Sequence, residues 1–352
     1  MNDNEYITGV ILEQFNSGSP VVLVSIVSLQ GSSPRHSGTK MVVTADGKSY
    51  GTIGGSVLEA TAIKEAVSVL GNGQSKFMNF DLIGSNAYTN TMLCGGKVVV
   101  LLDYLQAIPK NVEFIKYLHD AIRHGKDYYC LTTIQDNNGA VKVTGRYLLS
   151  ADGTVQAYYG WPKLDFDNLL SELHNISTTS ILSLGNTQVV AELVRKIKTV
   201  YCFGAGHVAK PTAHLAAMAG FHVVVIDDRA EFANKERFPD SHETRVIDDF
   251  NHALEGLKID ADSFIIILTS NHMYDCTILG QVLNTDAGYI GMIGSQRKRD
   301  AIYAALLEAG VKKEALERVH SPIGLSIEAE TPEEIAVSVV AELILERARQ
   351  RV

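Results

Sequence analysis

The feature that most constrains this chain is a run that passes from an apolar strand, Thr199–Phe203, through Gly204-Ala-Gly206 into a helix opening at about His207. A second apolar run, Phe221–Ile226, follows the helix and ends in Asp227-Asp228-Arg229. That order is the pattern of a nucleotide-binding βαβ unit. Gly204 supplies the sharp turn, Gly206 lets backbone N–H groups approach a phosphate, and Ala209, in the third small position, lets the helix pack on the strand. An anion would sit at the helix N-terminus, where free N–H groups and the helix dipole favour negative charge. Asp227 or Asp228 falls where such folds place the acid that meets a ribose hydroxyl. The glycine motif alone also occurs in ligand-free units; here the strand, the helix and the acid coincide.

The runs Thr244–Ile247, Phe264–Leu268 and Gly288–Ile293 read as further strands, and the second is continuously apolar, the mark of a parallel strand buried on both faces. The loops Thr269–His272 and Gly294–Arg299 follow strand ends. In an open α/β sheet the ligand lies at the carboxyl ends of the strands, so these loops should converge with Gly204–His207. Gly294, Ser295 and Arg297, together with Lys298, suit a phosphate or carboxylate. His272 is either a ligand hydrogen-bond partner or a polar loop residue. Thr331, Pro332 and Glu334 form a capping box for a last helix, Glu333–Arg347.

Upstream, Asn4–Phe15 reads as an amphipathic helix and Val21–Ser28 as a strand leading into a loop rich in glycine and hydroxyls. Within that loop Ser33 and Arg35 can hold an anion, or the loop is an ordinary hairpin turn with solvated cations. Gly54 and Gly55 enter a helix, Val57–Leu70, and make a second candidate anion site. Glu59, one turn inside, either faces a ligand or complements the helix dipole. Cys94 stands beside Gly95 and Gly96, with Lys97 favouring a thiolate. Its sulfur either meets a ligand or metal, or the residue is a small half-buried hydrophobe. Residues 107–195 carry a helix, Asn111–His124, a hairpin, Tyr128–Ile134 with Val141–Leu149, and a helix, Leu164–His174. The fold expected is α/β: a C-terminal Rossmann-like, doubly wound parallel sheet over 196–352, an N-terminal α/β (α+β) domain over 1–106, and a sheet extension and connector over 107–195.

The 352 residues are 46% hydrophobic and 20% charged, enough apolar content to bury substantial cores. A formal charge of −9 argues against a general nucleic-acid binder, which needs a broad basic surface. No apolar run reaches the ~18 residues of a membrane span, and Met1–Glu5 lacks the start of a signal peptide, so the compartment expected is the cytoplasm. Cys94, Cys130, Cys202 and Cys276 lie far apart, and the histidines show no ligand spacing, so neither a disulfide framework nor a resident metal is expected.

Taken together and in this order, Gly31–Arg35, Gly51–Gly55 with Glu59, Cys94–Gly96, Phe203–Val208, Ile226–Arg229, Tyr289–Ser295 and Pro322–Leu325 resemble the xanthine dehydrogenase accessory factor family, XdhC/CoxI. The resemblance runs over nearly the whole chain. It implies a homodimeric chaperone that binds the molybdenum cofactor (molybdopterin) transiently, holds it during sulfuration by a cysteine desulfurase, and delivers it to a xanthine dehydrogenase-type molybdenum hydroxylase. The chain departs from the family pattern at Ser56, Ser270 and Ser326. From the residues alone, an NAD(P)-dependent oxidoreductase with His207 or His272 as proton donor is the alternative, though no acid–base pair in a second catalytic domain accompanies the glycines.

Overall fold

The computed structural model describes residues 3–31, 37–81, 96–124, 127–137, 140–160, 166–184 and 187–350. Two units divide the chain, one running Asp3–Lys196 and the other from Ile197 onward. The candidate site residues Ser33, Arg35 and Cys94 lie outside the described residues.

In the first unit, helix α1 (Asp3–Asn16) precedes strands β1 (Val21–Gly31), β2 (Lys40–Thr44) and β3 (Ser49–Gly51). Helix α2 (Ser56–Asn72) is followed by β4 (Lys76–Asp81), β5 (Gly96–Leu105) and α3 (Pro109–His124). Strands β1 to β5 form an antiparallel sheet of order β3-β2-β1-β5-β4. Helix α2 packs Leu58, Ala62, Ala66 and Val69 against Val22, Val24, Val43 and Val100 of that sheet. The spacing of those four helix residues is one helical face, and burying each large aliphatic side chain contributes roughly 1.5–3 kcal/mol.

Residues 107–195, expected as an extension of the first sheet and a connector, build a sheet of their own. Strands β6 (Tyr128–Asn137), β7 (Ala140–Ser150) and β8 (Val155–Gly160), helix α4 (Phe166–Leu173), and strands β9 (Ser180–Leu184) and β10 (Thr187–Val194) follow one another. The strands pair in the order β8-β7-β6-β10-β9. The two sheets share a small apolar cluster of Val27, Leu101, Ile134, Val141 and Val190.

Beside that cluster lie two ion pairs. Arg146 of β7 donates to Asp103 Oδ2 of β5 at 2.5 Å, to the Tyr159 hydroxyl at 2.7 Å and to Thr132 Oγ1 at 3.2 Å. Lys40 of β2 pairs with Glu192 of β10. They border a small cavity of about 60 Å³ that Cys130 also lines, and burial pushes the Cys130 thiol up to about 12. Burial opposes the Arg146 charge, but the adjacent Asp103 carboxylate outweighs it and raises the guanidinium pKa. Replacing Arg146 with Met strands a buried carboxylate, so we expect a loss of about 3–5 kcal/mol in chemical denaturation; the double variant with Asp103→Leu should recover much of it.

The second unit is the expected doubly wound sheet. Its elements are β11 (Thr199–Phe203), α5 (Ala209–Met218), β12 (His222–Asp227), β13 (Glu243–Val246), β14 (Ser263–Ile267), α6 (His272–Val282), β15 (Tyr289–Met292), α7 (Gln296–Glu308), α8 (Lys313–Leu316), β16 (Val319–His320) and α9 (Pro332–Arg349). The six strands are parallel and ordered β13-β12-β11-β14-β15-β16. Strand β14 shows why such a run reads as continuously apolar. Phe264 and Ile266 join one core with α5 and α9, whereas Ile265 and Ile267 join the other with α6 and α7. The helix expected to open at about His207 starts at Ala209, because His207 and Val208 form a turn first. Ala209 is fully buried, as the third small position requires.

The expected capping box is present: Thr331 Oγ1 accepts from the Glu334 amide at 3.2 Å, and Glu334 Oε2 accepts from the Thr331 amide at 3.1 Å. Glu342, further along α9, accepts from the Tyr289 hydroxyl at 2.7 Å, the Gly324 amide at 2.7 Å and His320 Nδ1 at 2.9 Å. That carboxylate ties the 321–325 loop to the sheet.

Candidate functional site

The reversal of strand order beside β11 leaves a crevice at the carboxyl ends of β11, β12, β14 and β15. Gly204 makes the turn with φ at +101°, and a Cβ there would lie 2.6 Å from the Leu268 carbonyl oxygen. Only glycine satisfies both demands. Gly206 is different. A Cβ at Gly206 would meet nothing within 4 Å, and its φ lies outside the left-handed range. Neither backbone strain nor internal packing therefore calls for glycine at 206, and the space before it is open. His207, next in the turn, is exposed.

Asp227 faces back toward this turn. Its Oδ2 accepts from the Ala205 amide at 2.7 Å and from an Arg229 guanidinium nitrogen at 3.1 Å; its Oδ1 accepts from the Arg229 amide at 3.1 Å and Nε at 2.8 Å. Burial raises the cost of its charge, but the Arg229 and Ala205 hydrogen bonds outweigh it, so its pKa falls below the ordinary carboxylate value. The neighbouring Asp228 moves the other way, pushed up by burial and by the Asp227 carboxylate beside it. Asp227 is thus engaged with the turn and with Arg229, while Asp228 is the more exposed of the two.

At the next strand ends, Ser295 caps α7, its Oγ accepting from the Lys298 amide at 3.3 Å. Gly294 has φ at +150°, and a Cβ there would press on the Lys298 side chain at 2.7 Å. Arg297 is exposed in the first turn of α7. Lys298, grouped with it by sequence, forms an ion pair with Asp275 of α6 instead. Asp275 is fully buried and also accepts from Thr269 Oγ1 at 2.5 Å. Burial pushes its carboxyl pKa up against the lowering effect of Lys298 and Thr269. His272, the first residue of α6, lines an open groove with Ser295 and Arg297.

The crevice also has residues that the sequence reading missed. Arg237 donates to the Ala205 carbonyl at 3.4 Å and, with Arg229, stacks on the Phe232 ring, at 4.9 and 3.9 Å from the centroid respectively. Nothing in its irregular segment, Ala230–Asp240, signals that proximity. Asp275 offered a faint sign: an acid in the first turn of a helix that follows a buried strand.

In the first unit, Gly54 and Gly55 carry positive φ and lead into α2. Glu59 bends back to accept from Thr52 Oγ1 at 2.5 Å and from the Ile53 and Gly55 amides, both at 3.1 Å. Burial opposes its charge, yet these bonds lower its pKa. The chain's own carboxylate thus occupies the amides that an anion would use.

A family model described as XdhC Rossmann domain matches residues 200–343, and one described as XdhC and CoxI family matches residues 15–81. The chain belongs to the XdhC and CoxI family. Among relatives of known sequence, the uncharacterized protein YqeB of Escherichia coli is 26% identical over 92% of this chain, which spans only 43% of that protein. A probable xanthine dehydrogenase component of Bacillus subtilis is 26% identical, with 93% of each chain covered. The molybdenum cofactor insertion chaperone PaoD of Escherichia coli is 24% identical, covering 99% of this chain and 90% of PaoD. A crystal structure described as a xanthine dehydrogenase from Bacillus halodurans superposes with a TM-score of 0.80 at 26% identity, covering 99% of this chain and 96% of that one.

The two glycines of the turn should behave differently. Gly204→Ala should lower stability by about 1–3 kcal/mol, since alanine is disfavoured at that positive φ and its Cβ would clash with the Leu268 carbonyl. Gly206→Ala should unfold within about 0.5 kcal/mol of the parent. Equal losses in thermal and denaturant unfolding would contradict this distinction between the two glycines.

Proposed function

We propose that this family member is a molybdenum cofactor accessory factor. In this reading it binds molybdopterin transiently, holds it while a cysteine desulfurase supplies sulfur, and delivers it to a xanthine dehydrogenase-type hydroxylase in the cytoplasm. The relatives support the class of role, and one of them is named for cofactor insertion. The observation in this molecule that carries the reading is the glycine turn. Gly204 bends the chain at a positive φ open to glycine, while Gly206 keeps open space where a Cβ would lie. A phosphate suits that room: the adjoining amides at the start of α5 donate, and the helix dipole favours the charge.

Phosphate, whether terminal or part of a dinucleotide, is what molybdopterin would present to such a turn. Gly204, Gly206 and His207 would hold it. Gly294, Ser295 and Arg297, two strands away, would meet a second polar or anionic group, and Asp228 would face any ribose. When bound, the group brings its own metal and dithiolene chemistry. The chain's residues contribute orientation and charge, with Asp227 fixing the turn through the Ala205 amide.

Equilibrium binding of the purified chain to molybdopterin, with NADH in parallel, tests this directly. Micromolar or tighter uptake of the cofactor, weakened at least about tenfold by Gly206→Asp, is the expected result. Binding of NADH with hydride transfer, and none of the cofactor, would replace this reading with an NAD(P)-dependent oxidoreductase.

The reading includes a homodimer, and the outer face of α9 supports it. Val337, Ile344 and Leu345 are exposed by 51%, 42% and 37%, and with Ala341 they form one stripe at helical spacing. Two copies of α9 crossing antiparallel at Ala341 would set Val337 against Leu345 and Glu333 against Arg349. Sedimentation should show a dimer at micromolar concentration that Val337→Glu converts to a monomer; a parent chain that sediments as a monomer would remove this element.

A further inference from the structure

The groove between α6 and α7 has a composition that the turn does not explain. His272, Met273 and Cys276 form one wall, and Arg297, Ala301 and Ala305 belong to the other, around a space of about 810 Å³. Ala301 and Ala305, one helical turn apart and both exposed, keep the second wall low. Its length is apolar, and its charge lies at one end. There His272 and Arg297 occupy the first turns of two helices whose dipoles both place their positive ends at the same edge of the sheet. Among the described residues no carboxylate lines the groove: Asp275 is buried beneath it and paired with Lys298.

A volume of this order suits a small organic ligand. A bare phosphate would leave the apolar length unfilled. A planar heteroaromatic ring fits it better, because thioether and thiol sulfur make favourable contacts with aromatic rings. The hydroxyls of Thr277 and Ser295 add hydrogen-bonding edges. Two strand spacings of about 4.8 Å separate the end of β15 from that of β11, so a ligand about 10 Å long can reach from this end of the groove to the glycine turn.

We propose that the α6–α7 groove binds the ring of an anionic heteroaromatic ligand of the pterin class, with Arg297 on its anionic group and Met273 and Cys276 against its ring. The choice of the pterin class rests on the proposed cofactor role; the anion-and-ring chemistry rests on the groove.

The test uses the full chain in a Cys94→Ser background, with 6-carboxypterin as the probe. Cys202 is buried; with Cys130, half-buried like Cys276, also replaced by serine, Cys276 is left as the thiol to label with a maleimide. Saturating 6-carboxypterin should slow Cys276 labelling about tenfold or more. Ala301→Trp, and independently Ala305→Leu, should abolish that protection and the accompanying change in pterin fluorescence. Arg297→Ala should weaken binding by about tenfold, the effect of losing one charged hydrogen bond.

Labelling unaffected by millimolar probe, or binding indifferent to both groove-filling variants, overturns the proposal. Those results would leave the accessory role standing wherever molybdopterin still binds in a Gly206-dependent way. Groove binding of 6-carboxypterin without any uptake of molybdopterin would instead remove the accessory role and keep the groove.

Discussion

The close approach of Gly204 to the end of β14 is the constraint on which the C-terminal unit depends. The chain leaving β11 must turn within one residue and pass 2.6 Å, measured from an imagined Cβ, above the Leu268 carbonyl. That passage fixes where α5 begins, and Ala209 then brings the helix down onto the sheet with no large side chain in the way. Asp227 completes the arrangement from the neighbouring strand, holding the Ala205 amide at 2.7 Å while Arg229 neutralises its charge. A buried carboxylate without that guanidinium would cost several kcal/mol or take up a proton. The turn, the acid and the arginine therefore form one unit, which leaves Asp228 as the more exposed of the two acids.

Much of this is legible in the sequence because each feature is local. A glycine pair between an apolar strand and a helix carries its meaning within about a dozen residues, and Phe264–Leu268 reveals a strand buried on both faces by being apolar at every position. The capping box at Thr331 is equally local. What stays hidden depends on pairs far apart in the chain. Arg146 and Asp103 are 43 residues apart and Lys40 and Glu192 are 152 apart, yet those pairs hold together the two sheets of the first unit. The strands of 128–194 are individually readable, but nothing local says which strand is the neighbour of which. Residues 107–195 consequently read as an extension where they form a sheet.

The candidate site divides along the same line. Gly204, Gly206 and Ser295 announce themselves by position relative to a strand and a helix. Lys298 and Arg297 are adjacent and chemically alike in sequence, and the fold separates them. Helical geometry turns Lys298 toward buried Asp275 and Arg297 outward, so one cation stabilises the packing of α6 on α7 while the other is presented at the groove. Glu59 makes a similar point for the first unit. A glycine-rich helix entry looks like an anion site, and here it is one, with the chain's own carboxylate as the anion.

Two of the buried acids of the C-terminal unit bear on how such a site would operate. Asp227 and Asp275 each engage a cation and a nearby N–H or hydroxyl, so both serve the scaffold around the crevice. His207, the open space at Gly206 and Arg297 are left exposed. Backbone amides at a helix end bind phosphate without having to be ordered first, which gives affinity at little entropic cost. The groove is open along its length, so a bound ring keeps part of its surface toward solvent and departure requires no unfolding of a lid. For the proposed carrier role that combination would matter, since cargo with all its surface buried is released slowly, whereas cargo held by charge alone is not held in one orientation.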